Sequence, residues 1–264
     1  MKMKKEKRSY PALAAVRVGC VQYLNSKPLI YGADFPVRYD HPAGLARDLV
    51  SGALDVALVP VFEALLHPPW LAVDGVAIAC DGPVFSVFLA HRGPLAGVRR
   101  IALDPASRTS VHLLRVLLAE FHDLQPEYVG ADDPQADAWL LIGNQAIDFR
   151  LAHAGEYEFL DLGEEWRRCT GLPFVFALWL MRPALPHAAE IAAELRAIKA
   201  HGLAHLPEIV RADVAHPAEL SMRYLTRYIR FELGAREKAG LARFEELLLA
   251  HRWIEPAPPR IAFI

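Results

Sequence analysis

Short runs of aliphatic and β-branched residues alternate along the chain with stretches whose apolar positions recur every three or four residues. Runs of this length, bounded by turn residues, predict strands at residues 16–23, 55–59, 84–91, 100–103, 138–142 and 174–181. Helical spacing fills the gaps. "LARDLVSGAL" predicts one helix, and in "VHLLRVLLAEF" Val111, Leu114, Leu118 and Phe121 form one apolar face that predicts packing on a sheet. The alternation is that of βαβ units and predicts an α/β fold with largely parallel strands. From His187 onward the spacing is almost wholly helical: Ile191, Leu195 and Ile198 line one face, and Leu241, Phe244 and Leu248 another. Between them "HPAELSMRYLTRYIRFELG" predicts a helix closed by Gly234 at its C-terminus.

Two apolar runs, "GPVFSVFLAH" and "LPFVFALWLMR", are nearly continuous, as strands covered on both faces must be. If the chain leaves a first lobe through the former and returns through the latter, residues 16–91 plus 174–264 form lobe one. Residues 92–173 then form an inserted lobe two, and residues 1–15 a flexible tail. Two lobes joined in this way enclose a cleft, and clefts between lobes are preferred ligand sites. Polar residues gather where strands end: Asn25 and Ser26 after the first, Pro60 closing "DVALVP", Gly143 and Asn144 after "ADAWLLIGN", with Ser86 in the outgoing crossing. In "LDPASRTSVHLL" a strand ends, Ser107, Arg108, Thr109 and Ser110 follow, and a helix starts. Free N–H groups and the helix dipole favour an anion there, and an arginine fork matches a carboxylate. A plainer reading stands beside each. Asn25 and Ser26 are also good N-caps, and residues 107–110 also suit ordinary capping with Arg108 in solvent.

Composition narrows the choices. With 264 residues, 53% of them hydrophobic, the chain can bury a substantial core. Lysine and arginine (29) nearly balance aspartate and glutamate (31), so nothing in the overall charge of -2 attracts nucleic acid. Cys20, Cys80 and Cys169 are far apart and form no C-x-x-C pair, which predicts buried thiols in a reducing compartment. The start "MKMKKEKRSYPALAAVRVGC" has the layout of a lipoprotein signal, but its apolar run, 12–16, is shorter than the roughly 7–15 residues such signals need. No stretch approaches the roughly 20 apolar residues of a membrane span. A cytoplasmic protein is expected. Without G-x-x-x-x-G-K-[ST] or G-x-S-x-G, neither a nucleoside triphosphate site nor a serine hydrolase is supported. His201 and His205 in "HGLAH" are interrupted by Gly202 and lack the H-E-x-x-H pattern, so a helix end is expected there and no metal. Trp139, Trp166 and Trp179 are expected in the core and "GEEWRR" on a solvated helix face.

Taken together, these motifs resemble one family, the chorismate dehydratases of the futalosine route to menaquinone. The resemblance rests on "VGCVQYLNSKPLIYG", "LDVALVPVFEAL", "GPVFSVFL", "LDPASRTSVHLLRVLL", "ADAWLLIGNQAI", "DLGEEWRRCTGLPFVFALW" and "GLARFEELLLAHRWI", in family order over residues 16–264. One departure is Asn144, where an aspartate is expected after "IG". The resemblance implies a two-lobed fold like the type II periplasmic binding proteins. It also implies a cofactor-free reaction in which chorismate, a dicarboxylate, loses water to give 3-[(1-carboxyvinyl)oxy]benzoate. Asn25 and Ser86 are the expected catalytic positioning groups. Ser26, Pro60, Ser107, Arg108, Thr109, Ser110, Gly143 and Asn144 are the expected substrate contacts. Two rivals share the architecture. One is a solute-binding protein without chemistry, and the other is the related lyase that makes 1,4-dihydroxy-6-naphthoate, which is expected to carry a "PND"-like stretch in place of "YLNSKP" and an active-site histidine.

Overall fold

The structure is a computed structural model that describes residues 9–66, 69–103, 108–257 and 260–264. The apolar run after Arg17 forms β1 (Val18–Cys20), wholly buried, and ends in a 3₁₀ turn at Leu24–Leu29. β2 (Val37–Tyr39), β3 (Val56–Pro60) and β4 (Trp70–Cys80) complete the first passage. The chain then builds β5 (Val87–His91), β6 (Arg100–Leu103), β7 (Glu127–Gly130), β8 (Ala138–Ile142) and β9 (Glu158–Asp161), and returns through β10 (Phe174–Met181) toward a terminal β11 (Ile261–Phe263). The strands make two sheets, β11-β4-β10-β3-β1-β2 and β7-β6-β8-β5-β9. In each, neighbours such as β1 and β3, or β6 and β8, run parallel. A single returning strand runs against its neighbours: β10 between β3 and β4, and β5 between β8 and β9.

The helices are α1 (Pro11–Ala14), α2 (Pro42–Val50), α3 (Val61–Leu66), α4 (Arg108–Phe121), α5 (Gly143–Ala152), α6 (Leu162–Thr170), α7 (Ala188–Ala204), α8 (Leu206–Ala212), α9 (Ala218–Arg223) and α10 (Ala235–Ala250). Local chemistry sets their ends. In α6 the Asp161 carboxylate caps the first turn, Glu164 and Glu165 occupy the positive end, and Arg167 and Arg168 the negative end. Gly171 stops the helix at φ +74, a conformation that glycine adopts without a Cβ penalty. One contiguous core joins Leu58 and Phe174 of the first sheet to Ile101 and Leu114 of the second layer, each of them almost fully buried. Each such side chain contributes about 1.5–3 kcal/mol relative to exposure. At the edge of the first sheet, Asp55 accepts the Arg17 backbone N–H (3.0 Å) and guanidinium (2.7 and 2.8 Å) and pairs with Arg182 at 2.5 Å. These donors hold its carboxyl well below the usual range, Arg17 first among them.

Several expectations are corrected. The strand Val87–His91 belongs to the second sheet, so the outgoing crossing lies between Cys80 and Val87 rather than at residue 91. Within the segment expected to be a tail, Tyr10 and Leu13 are buried, and Glu194 of α7 accepts the N–H groups of Ala12 and Leu13 at 3.0 and 2.8 Å. The remainder, residues 1–8, lies outside the described residues. β4 is absent from the strands that the apolar runs predict, and Asp74-Gly75 interrupts its apolar run. In the fold it is a bulge inside one long strand, with Gly75 at φ +75 and the β10 register shifting across it. Gly234 caps the start of α10 rather than the end of a preceding helix: its N–H donates to Glu237 at 3.0 Å. "GEEWRR" is not a solvated face, since Glu165 and Trp166 are buried and Glu165 meets His122 at 2.7 Å. Trp166 and Trp179 are buried, while Trp139 is half-buried and packs edge-on against Tyr157. Cys20 and Cys80 are buried thiols and Cys169 is partly exposed. Burial pushes the Cys20 thiol up to about 12. No helix among the described residues is long and apolar enough to cross a membrane.

Candidate functional site

Parallel strands from the two sheets point their carboxyl ends at one another, and a cleft with about 640 Å³ of free space, part of it continuous with solvent, lies between them. Its walls are mostly apolar, with Val21, Leu58, Ile78, Ile142 and Phe176 among them. Polar groups are few and come from both sides: Asn25 from the turn after β1, Ser86 from the crossing, and Arg108, Thr109 and Ser110 from the start of α4. Pro60 at the end of β3 and Gly143 at the end of β8 also line it. No histidine or carboxylate stands among the described lining residues, and Arg108 is their charged group. Apolar walls lower the local dielectric, so each polar contact to a ligand is stronger there than in water.

Asn25 and Ser86 meet through a residue that the sequence did not reveal. The Tyr224 hydroxyl accepts the Asn25 side-chain N–H at 3.1 Å and lies 2.7 Å from the Ser86 hydroxyl. Asn25 Oδ1 is buried and has no hydrogen-bond partner among the described residues. A buried acceptor left bare costs about 1–3 kcal/mol. Tyr224 was legible only as part of a continuous helical run; it opens a π-helical turn, Tyr224–Tyr228, that breaks that run.

Ser86 is placed by a strained backbone. Phe85 has φ +68 and the Ser86 N–H returns to the Val84 carbonyl at 2.8 Å, which is a γ-turn of the rare positive-φ kind. Asp161, at the end of β9, holds it. Its carboxylate accepts the N–H groups of Val84 (2.9 Å) and Phe85 (2.7 Å), and those of Gly163 and Glu164 in α6 (3.1 Å each), with Arg150 at 3.4 Å. Gly143 secures the other side. Its N–H donates to the Ser86 carbonyl at 2.8 Å, its φ is +65, and a Cβ there would lie 3.0 Å from the Tyr23 ring.

The helix start is built into both lobes. Thr109 Oγ1 accepts the Phe62 N–H of α3 at 3.0 Å. Arg108 is paired rather than solvated: its Nε lies 2.9 Å from the buried Glu63 carboxylate, and its guanidinium covers the Phe62 ring at 5.5 Å. Arg108 also lines the cleft, and a guanidinium fork matches a carboxylate in shape. Ser110 lines the cleft and is 6% exposed. Ser107 lies outside the described residues.

Two expected contacts are not in the cleft. Ser26 is 1% exposed, and its hydroxyl donates to the Val21 and Tyr23 carbonyls at 2.7 and 2.8 Å, so it closes the turn after β1. Asn144 reaches across to the same turn, where its Oδ1 accepts the Leu24 N–H at 3.2 Å. Tyr23 offers no side-chain cap at that position, so Asn144 supplies the missing acceptor from the opposite lobe. A neutral amide serves this purpose without a charge. His205 stacks on Tyr31 and His201 meets the same ring at a tilt, both at 5.4 Å, and no group of three or more metal-ligating side chains is gathered among the described residues.

Comparison with known proteins gives this geometry a context. A chorismate dehydratase of Thermus thermophilus is 34% identical over 258 residues, covering 88% of this chain and 94% of that protein. One from Campylobacter jejuni is 24% identical over 241 residues, covering 86% and 94%. In solved structures, a protein of Archaeoglobus fulgidus superposes with TM-score 0.74 at 18% identity, over 90% of this chain and 98% of that one. The periplasmic aliphatic sulphonate binding protein of Escherichia coli gives TM-score 0.60 at 15% identity, over 91% and 94%. The architecture is therefore periplasmic-binding-protein-like. Residues 16–250, which carry every cleft group described above, match the family model for menaquinone biosynthesis, and the chain belongs to that family.

Proposed function

We propose that the protein is a chorismate dehydratase, a hydro-lyase that converts chorismate to 3-[(1-carboxyvinyl)oxy]benzoate and water. The observation that carries this is the 34% identity to a chorismate dehydratase over nearly the whole chain. The cleft supports it with Arg108 for one carboxylate and neutral hydrogen-bonding groups, Asn25 and Ser86, at its centre. In the reaction, the C–H bond at the ring carbon bearing the enolpyruvyl ether breaks, the neighbouring C–O bond breaks, and the ring becomes aromatic. The proton and the departing hydroxide leave as water. No histidine or carboxylate that could take a proton lines the cleft among the described residues, so we assign the proton transfer to the substrate's own side-chain carboxylate, which lies near that proton. Asn25 and Ser86 hold the ring and its hydroxyl in reactive geometry, and the start of α4, with Ser110 and the fork of Arg108, holds a carboxylate. Dehydration then depends on positioning and on charge placed in a low-dielectric cleft.

Mixing purified protein with chorismate tests this directly. The account predicts a new aromatic absorbance and a product lighter than chorismate by one water. A solute-binding protein leaves the spectrum unchanged, and a naphthoate-forming lyase acts instead on the cyclised futalosine intermediate.

A further inference from the structure

We propose that Tyr224 is a positioning residue that fixes the direction of a hydrogen-bond chain, Asn25 to Tyr224 to Ser86, so that Ser86 presents its proton and Asn25 its oxygen to the ligand. This rests on the dehydratase reading for its kinetic consequences and on the geometry alone for the chain itself.

Direction follows from the count of donors and acceptors. Asn25 Nδ2 can only donate, so at 3.1 Å the Tyr224 oxygen is its acceptor. The Tyr224 proton then needs an acceptor of its own. Among the described residues the one within hydrogen-bond distance is Ser86 Oγ at 2.7 Å. Were Ser86 to donate instead, the phenol would accept twice and its own proton would be orphaned in a site where Tyr224 is 1% exposed. Tyr224 therefore donates to Ser86, and the serine proton is turned away from that bond. Ser86 lines the cleft, Tyr224 lies behind it, and Asn25 Oδ1 is left bare. The result is one donor and one acceptor facing the same space, the pair that a ring hydroxyl, itself donor and acceptor, would satisfy.

A second contact supports the role. Tyr228, in the same π-helical turn, stacks on Phe85 with ring centroids 5.1 Å apart and planes 14° apart. One turn thus touches both Phe85, where the backbone is strained, and Ser86, which that strain places. Such π-helical insertions recur at functional sites. Burial pushes the Tyr224 phenol far above its ordinary range, which keeps the proton in place at working pH.

The experiment is a double-substitution cycle of Tyr224→Phe and Ser86→Ala, with kinetics on chorismate and urea unfolding on the same proteins. Tyr224→Phe keeps the ring and removes the hydroxyl. Its kcat is expected to fall about 10- to 100-fold with KM changed less than about threefold, the range of a lost orienting group. The double variant is expected to be no slower than Ser86→Ala alone, because the chain acts through Ser86. A merely structural tyrosine would instead multiply the two losses, and that result, or a wild-type kcat in Tyr224→Phe, overturns the proposal. If the wild type leaves chorismate unchanged, the dehydratase reading fails by itself. The unfolding cycle still decides the chain: non-additive losses support it, and additive ones overturn it.

Discussion

Replacing Asn25 by alanine is expected to lower chorismate turnover about 100-fold or more while leaving the fold intact. The side chain does two things at once. Its Nδ2 anchors Tyr224, and its Oδ1 is buried without a hydrogen-bond partner among the described residues, in a side chain that lines the cleft. A preorganised polar group aimed at the reacting atoms is worth about 10²–10³ in kcat when removed. The stability cost should be small, because among the described residues the Asn25 side chain makes one hydrogen bond, to Tyr224, and its loss costs about 1 kcal/mol. Steady-state rates from product absorbance, with unfolding curves as control, make the measurement. Turnover like that of the wild type would remove Asn25 from the reaction. Asn25→Asp separates shape from chemistry: it keeps the outline but loses the donor to Tyr224 and sets a negative charge beside a dianionic substrate. It too should be slow.

The second large effect is expected at Asp161, which does not itself line the cleft. Its carboxylate collects four backbone N–H groups, two from the crossing and two from the first turn of α6, and has Arg150 beside it. Asp161→Ala removes a helix cap, worth about 1 kcal/mol, and strips the acceptors from Val84 and Phe85 N–H, each costing about 1–3 kcal/mol. A loss of about 3 kcal/mol or more in urea unfolding is the expected result. The strained γ-turn at Phe85 should relax with it, so that Ser86 moves and turnover falls at least tenfold at a temperature where the variant remains folded. A loss below about 1 kcal/mol would show that the turn is held elsewhere. Asp161→Asn is informative too. One orientation sets an amide N–H against the Phe85 N–H and the other against those of Val84, Gly163 and Glu164, so neither restores all the acceptors.

The contrast between Asn25 and Asp161 shows what the amino-acid sequence makes legible. Asn25, Pro60 and Gly143 stand at the ends of parallel strands, Ser86 in the crossing, and Arg108, Thr109 and Ser110 at a helix start, and these positions can be read from local patterns. The fold then gathers all seven around one cleft. Asp161 and Tyr224 act on Ser86 from 75 and 138 positions away, and nothing in their own neighbourhoods announces it. Ser26 and Asn144, which bond to the turn after β1, illustrate a different limit. A small polar side chain at a strand end serves a ligand or a neighbouring N–H equally well, and only the direction of the side chain decides. Strands followed the same rule. The buried, uninterrupted β10 was clear, whereas β4 was hidden by its bulge at Asp74-Gly75 and three-residue β2 and β11 were too short to show a period.

The claim on which all of this depends is that one small dianion sits between the two sheets, held by neutral groups at the crossing and by the start of α4. A crystal structure of the protein soaked with 3-[(1-carboxyvinyl)oxy]benzoate tests it most directly. The account predicts the aromatic ring among Leu58, Ile78 and Phe176, a ligand oxygen within hydrogen-bond distance of Ser86 Oγ, and a carboxylate at the Arg108 fork or the Ser110 hydroxyl. Ligand bound elsewhere on the chain, with Asn25 and Ser86 untouched, would contradict it.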